Sequence, residues 1–393
     1  MGSEARAFGR SLLPLWHLDP AGTFLNHGSF GACPREVLAV QNAVREEMER
    51  QPDQFFRRKG RPVSPDNAVR PAAALLARFV GTTGDRIAFV TNATEAVNTV
   101  LRAVEFEPGD EILMLDCVYN AVRLAVDDTC KRTGARPVVV DLPLPLNAND
   151  VVERIADAAS NRTRLAIIDH IASRTAIVFP VAEITAALHA KGVQVLIDGA
   201  HALGQLPLEL EAIGADWYTA NAHKWLYAPK GCAFLYAAPH VAPRTKPLAV
   251  SHWHEQSYPL PFDYVGTRDI SASLSVPAAL RFIESFGIER IRAYMLDLAR
   301  FGSGLMQELG AEPVAPDAAF GPMRAYVLPQ RRVAMQADAD ALMHDLWAQH
   351  RIQIAAGEFH GKLLLRLSAQ IYNERADFER FAETLDKYGW AGR

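Results

Sequence analysis

Short, nearly continuous apolar runs alternate along this chain with longer stretches whose apolar positions recur every three or four residues. The runs Ile87–Thr91, Glu111–Asp116, Arg136–Asp141, Thr163–His170 and Gln194–Asp198 predict strands. The stretches 71–80, 94–104, 119–133, 149–160 and 181–191 predict helices. The turn E-P-G-D at 107–110 and Gly134 punctuate the series. Strands separated by helices of this length imply βαβ units and a mostly parallel sheet, an α/β fold. Upstream, Pro34 precedes a helix over 35–50, with Val37, Leu38, Val40, Val44 and Met48 on its apolar face. The basic, aromatic stretch Q-P-D-Q-F-F-R-R-K-G-R-P at 51–62 reads either as a solvated loop or as a segment reaching into a pocket.

The ends differ in texture. Pro14 and Pro20 make the first 20 residues an irregular arm. After about residue 240, Pro239, Pro243, Pro247, Pro259 and Pro261 fall among histidines and aromatics and mark a domain connection. Residues 275–310 read as one long helix or two, and 320–393 as a small strand-and-helix unit. The expected division is an arm, 1–21, packed on a small domain at 251–393, with a large domain at 22–250.

Composition narrows the class. A chain of 393 residues, 49 % hydrophobic and 22 % charged, suits two domains with a core that needs no disulfide or metal staple. The net charge of −4 argues against a general nucleic-acid binder or a polybasic membrane binder. No apolar stretch reaches the length of a membrane span. The start, M-G-S-E-A-R-A-F-G-R, lacks the apolar region of a secretory signal. Cys33, Cys117, Cys130 and Cys232 stand far apart with no C-x-x-C pair, which argues against a zinc ribbon or thioredoxin-type motif. Reduced thiols in a cytoplasmic protein are expected.

Three local signals carry chemistry. In V-L-I-D-G-A-H at 195–201 a buried strand ends in Asp198, where open parallel sheets meet their ligands. Taken alone, that aspartate is equally a helix cap. In T-A-N-A-H-K-W-L at 219–226, Lys224 follows a strand (Trp217–Thr219) and leads into a glycine turn; alone, it is equally a salt-bridged lysine. In T-N-A-T-E-A-V-N at 91–98 a strand passes into a helix whose first N–H groups suit a phosphate, or simply carry an N-cap. An anion cradle, an acid and a lysine in that order, each at a strand end, describe a pyridoxal phosphate site. That cofactor needs a lysine for its Schiff base, an acid opposite its ring nitrogen and a cradle for its phosphate.

The chain resembles the class V aminotransferase family of fold-type I pyridoxal-phosphate enzymes, and within it the isopenicillin N epimerase-like group. The carrying motifs are F-L-N-H-G-S-F-G at 24–31, T-N-A-T-E-A-V-N at 91–98 and D-H-I-A-S-R-T-A at 169–176. D-G-A-H at 198–201, H-K-W-L at 223–226, G-T-R-D at 266–269 and L-R-L-S at 365–368 complete the set. The resemblance implies a large three-layer αβα domain, a small C-terminal α/β domain, and a homodimer with shared sites. It implies that Lys224 binds pyridoxal 5′-phosphate and shuttles a proton, and that Asp198 holds the ring nitrogen protonated. His201 and Ser173 would lie near the ring hydroxyl, and Tyr119 would stack on the ring. Ala93, Thr94, Asn221 and His223 would bind the phosphate, joined by Thr267 from the neighbouring subunit. Arg366 would clamp the substrate carboxylate, where a planar bidentate donor fits best, and Asn26 and Gly28 would line the substrate entrance.

Blander readings stay open for single residues. Tyr119 is also readable as a core aromatic, His201 as a structural histidine and Ser173 as a turn cap. H-W-H-E at 252–255 suggests a metal cluster, but it is not H-E-x-x-H and has no matching set, so a solvated or substrate-facing loop is expected. His252, Trp253, His254 and the 51–61 segment are the candidates for side-chain specificity. G-E-F-H-G-K at 357–362 is one residue short of a P-loop.

One scaffold serves several reactions once an α-proton leaves: epimerisation, β-elimination or transamination. Cysteine desulfurases of this class use a mobile cysteine in the C-terminal domain, and no cysteine follows Cys232. The subgroup resemblance favours an epimerase or racemase acting at an amino-acid α-carbon. A C–S lyase comes second, an aminotransferase third, and a non-catalytic cofactor-binding regulator last. Inversion needs an acid or base on the face opposite Lys224, for which Tyr119 and His27 are candidates by position, or a mobile water.

Overall fold

The computed structural model describes residues 7–147, 150–329 and 333–387. The first six residues of the expected arm, the first residue of the helix expected at 149–160 and the last six of the terminal unit lie outside the described residues. The strands, in chain order, are β1 (Thr23–Phe24), β2 (Ile87–Val90), β3 (Glu111–Leu115), β4 (Arg136–Val140), β5 (Thr163–Asp169), β6 (Gln194–Asp198) and β7 (Trp217–Asn221). They continue with β8 (Ala233–Ala237), β9 (Glu312–Pro313), β10 (Met323–Val327), β11 (Ile352–Gln353), β12 (Ala355–Phe359) and β13 (Lys362–Ser368).

Strands β2 to β8 form one seven-stranded sheet in the order β2-β8-β7-β6-β5-β3-β4. All neighbours run parallel except β8, which is antiparallel to both β2 and β7. Every residue of β2, β3, β7 and β8 is buried. That is why these segments read as continuous apolar runs rather than as an alternation. The edge strand β4 is mostly exposed. Helices Val69–Phe79, Ala93–Ala103, Asn120–Thr133, Val151–Asp157 and Val181–His189 connect the strands close to their expected places.

Two ambiguous stretches resolve. Residues 275–310 are two helices, Val276–Phe286 and Ile288–Glu308, separated at Gly287, whose φ of 80° no helix accommodates. Residues 51–62 are not a plain loop, because Pro52–Arg58 is a short helix. Pro52 suits a first helical turn, and Phe55, 4 % exposed, anchors it.

A second, antiparallel sheet has the order β12-β13-β10-β9. It shares a separate apolar cluster, including Leu298, Tyr326, Leu346, Leu365 and Phe378, with helices Ile288–Glu308, Gln336–His350 and Arg375–Lys387. Strand β1 pairs in parallel with β11, which ties the segment entering residue 27 to this C-terminal unit. The arm lies against both units. Trp16, 1 % exposed, packs edge-on against Tyr227, Phe282 and Tyr372 at 6.0, 5.5 and 4.9 Å between ring centroids. Arg10 pairs with Asp377 at 2.7 Å. Among the described residues, no helix is long and apolar enough to cross a membrane.

Candidate active site

Parallel strands β5 and β6 end together, and their last residues, Asp169 and Asp198, project into one cleft. Asp169 and Asp198 are register partners, as are Asp198 and Thr219. Both acids are 3 % exposed. Asp198 Oδ1 accepts a hydrogen bond from the Ala200 N–H at 2.9 Å. Burial pushes the Asp198 carboxyl up, while that bond and the charge of Lys224 pull it back. Burial pushes the Asp169 carboxyl up further, and the like charge of Asp198 adds to the rise.

Lys224 follows the end of β7 in a tight turn pinned from behind. His27 is fully buried; its Nε2–H donates to the Lys224 carbonyl at 3.1 Å, and its Nδ1 accepts from the Tyr372 hydroxyl at 2.8 Å. Burial lowers the His27 pKa to about 3, which matches this neutral tautomer. The expectation that His27 is a second acid or base is therefore corrected. Both ring nitrogens are committed to holding the Lys224 backbone. Gly31 completes the pin, since a Cβ there would lie 2.2 Å from the His223 carbonyl oxygen, at a φ of 69°.

The Lys224 amine reaches into the cleft, 3.1 Å from His201 Nε2. Its pKa falls to about 7, chiefly by burial and then by the charge of Arg366, with Asp198 and Asp169 opposing. His201 is held neutral by burial, and its buried Nδ1 has no partner. His223 donates from Nδ1 to the Cys232 carbonyl at 2.9 Å; burial lowers its pKa to about 4.

Helix Ala93–Ala103 points its N-terminus at the same cleft. Asn92 caps it by accepting from the Glu95 N–H at 2.9 Å. The Ala93 N–H donates to Asn221 Oδ1 at 3.0 Å, which fastens the helix start to the end of β7. Ala93, Thr94, Asn221, His223, Asp198, His201 and Lys224 line one cavity of about 340 Å³.

A second cavity of about 270 Å³ adjoins it, and both include Ser29, Phe30, Tyr119, Ser173 and Lys224 in their walls. Arg366 of β13 lies at its inner end. Its Nη1 donates to the Ser173 carbonyl and, at 3.3 Å, to the Ser173 hydroxyl. Its Nη2 donates to Ser29 Oγ at 2.8 Å and Asn26 Oδ1 at 3.3 Å, and its Nε is buried without a partner. Burial lowers the guanidinium's pKa to about 10. Tyr119, at the start of helix Asn120–Thr133, is half exposed at the mouth.

Three expected residues, Asn26, Gly28 and Thr267, lie off both cavities, although Asn26 Oδ1 accepts from Arg366 Nη2. A Cβ on Gly28 would meet Met323 Sδ at 2.6 Å, and its N–H donates to Ser368 Oγ; it backs the site rather than lining it. Thr267 is exposed and its nearest polar partner is the Tyr264 hydroxyl at 3.4 Å. His252, Trp253 and His254 line neither cavity. Among the described residues, no group of three or more His, Cys, Asp or Glu is arranged to hold a metal.

Sequence reasoning missed Asp169, Phe30 and Arg174, all in the cavity walls. Asp169 was legible by the argument that found Asp198, since L-A-I-I-D ends a buried strand just as V-L-I-D does.

The arrangement fits pyridoxal 5′-phosphate. A buried amine near neutrality, a buried acid and a helix N-terminus share one cavity, and His201 Nδ1 and Arg366 Nε are buried polar atoms without protein partners. The family model for class-V aminotransferases matches residues 63–381. An isopenicillin N epimerase of Amycolatopsis lactamdurans is 34 % identical, over 94 % of this chain and 95 % of its own. A probable chloroplastic L-cysteine desulfhydrase of Arabidopsis thaliana is 31 % identical, over 94 % of this chain and 83 % of its own. Among solved structures, the cystine C–S lyase C-DES in complex with its product cysteine persulfide superposes with a TM-score of 0.79. That match is 20 % identical and covers 93 % of this chain and 97 % of the other, so it speaks to the fold.

Proposed function

We propose, from the premise that the chain belongs to the class-V aminotransferase family and works with pyridoxal 5′-phosphate, that it is a one-base carbon–sulfur lyase acting on cysteine or a cysteine conjugate. The observation that carries this reading is the solitary amine. Among the described residues, Lys224 is the cavity group whose pKa is shifted close to neutrality, while His27, His201 and His223 are held neutral well below it. One base suffices to remove an α-proton and expel a β-substituent. Inversion needs a proton delivered to the opposite face, by a second acid or base or by a mobile water.

When bound, the cofactor supplies an electron sink for the charge left by the departing α-proton. The protein's residues do the rest. Arg366, its guanidinium fixed by Ser173, Ser29 and Asn26, receives the substrate carboxylate through its remaining donor positions. Lys224 Nζ takes the α-proton in its neutral form, which burial and the nearby charge of Arg366 favour. With the cofactor bound, Asp198 would serve its ring nitrogen, His201 and Ser173 its ring hydroxyl and Tyr119 its ring face. Ala93, Thr94, Asn221 and His223 would hold its phosphate, with Thr267 of a second copy of the chain in a homodimer. Cys117, the cysteine in the wall of the second cavity, is buried and its thiol is pushed well up, which disfavours a persulfide-forming nucleophile. Four buried free cysteines support a reducing, cytoplasmic setting. The 22–250 and 251–393 division remains our proposed domain boundary.

Epimerisation is the second reading. Tyr119 shares both cavity walls with Lys224 and offers a hydroxyl for a second proton transfer, and two relatives carry the epimerase name. The deciding experiment incubates the cofactor-loaded protein with L-cysteine, S-substituted cysteines and β-lactam-precursor peptides. Pyruvate, ammonia and a released thiol are expected. An inverted amino acid without keto acid would establish the second reading instead.

A further inference from the structure

Asp169 is a buried acid with no assigned task. It ends β5 where Asp198 ends β6, and the two are Cα partners across parallel strands, so their side chains leave the sheet on the same side. Both line the cavity that holds Lys224. Asp198 has one oxygen on the Ala200 N–H, whereas Asp169 Oδ2 is buried without a partner. A buried carboxylate oxygen without a donor is costly; a protonated carboxyl beside an acceptor is not. Lys224 is the cation that faces both acids, and Cys117, whose thiol keeps its proton, approaches Asp169 from the end of β3. Tyr218 of β7 faces Asp198, and its hydroxyl is hydrogen-bonded to His170 Nδ1 at 2.8 Å. These neighbours supply at most one positive charge, that of Lys224, which does not balance two carboxylates.

We propose that Asp169 is a positioning residue that keeps its proton and donates it in a hydrogen bond to Asp198, fixing Asp198 as the single anion presented to the cofactor's ring nitrogen. The pair then acts as a unit: Asp169 supplies a donor, and Asp198 supplies the charge. This rests on the cofactor reading for its consequence, but not for the protonation state itself, which belongs to the protein alone.

Two measurements test it. Infrared difference spectra of the cofactor-free protein at pH 7.5, Asp169→Asn against wild type, are expected to show loss of a protonated-carboxyl stretching band. Loss of only a carboxylate band would overturn the proposal even if cofactor binding were intact. The second measurement is the cofactor dissociation constant and the pH titration of the bound cofactor's absorbance. Asp169→Asn keeps a donor and is expected to bind within about twofold of wild type, with an unmoved titration. Asp169→Leu removes the donor and is expected to weaken binding at least about tenfold and shift the titration. A melting profile confirms that each variant is folded. Equal damage in both variants would mean that Asp169 acts by charge, and silence in both would make it structural; either result overturns the proposal. Failure of the wild-type protein to bind the cofactor would instead strike the function reading, leaving the infrared result to judge Asp169.

Discussion

Lys224 owes its charge state to its surroundings: burial comes first, then the nearby Arg366, and together they bring an amine that is ordinarily protonated up to about pH 10 down to about 7. The sign of the linked stability effect follows. Between about pH 7 and 10 the unfolded chain binds a proton at this lysine that the folded chain does not, so this site's contribution to stability rises with pH across that window. At about 1.4 kcal/mol per pH unit, the folded cofactor-free protein carries a penalty of several kcal/mol at pH 7. Replacing the amine with an apolar side chain of similar length removes that penalty. Lys224→Met is therefore expected to raise the melting temperature of the cofactor-free protein at pH 7, with the gain shrinking towards pH 10. The same variant is expected to lose the cofactor's absorbance on loading. A melting temperature lowered equally at both pH values would show that the amine is not held under strain by its neighbours.

At the scale of elements, the site depends on close approach between segments distant in the chain. The short helix His27–Phe30 and Gly31 back onto the Lys224 turn, and Asn221 fastens the start of helix Ala93–Ala103 to β7. Gly31→Ala would place a methyl 2.2 Å from the His223 carbonyl oxygen and 2.9 Å from Lys224 Cα. It is expected to shift the lysine turn and weaken cofactor binding at least about tenfold, roughly 1.4 kcal/mol, read by absorbance titration. The same elements show what a sequence reveals. Strands β5 and β6 were legible because strands buried on both faces are apolar throughout, and Asp198 stands out at the end of such a run. His27 was misread as facing substrate because a motif states proximity to the site and not direction; only the Tyr372 and Lys224 contacts show that the ring points away. The helix Pro52–Arg58 was hidden because seven residues hold too few turns to display a period. Gly28 belongs to a motif at the site, yet its contribution is close packing against Met323 and Ser368.

At the scale of the whole molecule, two units and an arm meet around one cleft. Asp198 and Lys224 come from the parallel sheet, Arg366 from the antiparallel one, and Trp16 packs between Tyr227 and Tyr372, one from each side. Thr267 remains outside the cleft of its own chain, which agrees with a task in a second copy. If so, Lys224→Ala and Thr267→Ala chains, each impaired alone, are expected to regain activity when unfolded, mixed and refolded together, because one site in each mixed dimer recovers an intact pair. No recovery, with mixed dimers verified by mass, would confine Thr267 to its own chain. The central claim is that one base, Lys224, handles the α-proton on one face of the substrate. L-Alanine tests it most directly, because it has an α-proton but no β-leaving group. Incubated with the loaded protein in deuterated water and followed by proton NMR and chiral chromatography, it is expected to gain α-deuterium with retention of configuration, and D-alanine is expected to stay unlabelled. Conversion of L-alanine to deuterated D-alanine at a rate matching exchange would contradict the one-base account and require a second proton donor in the cleft.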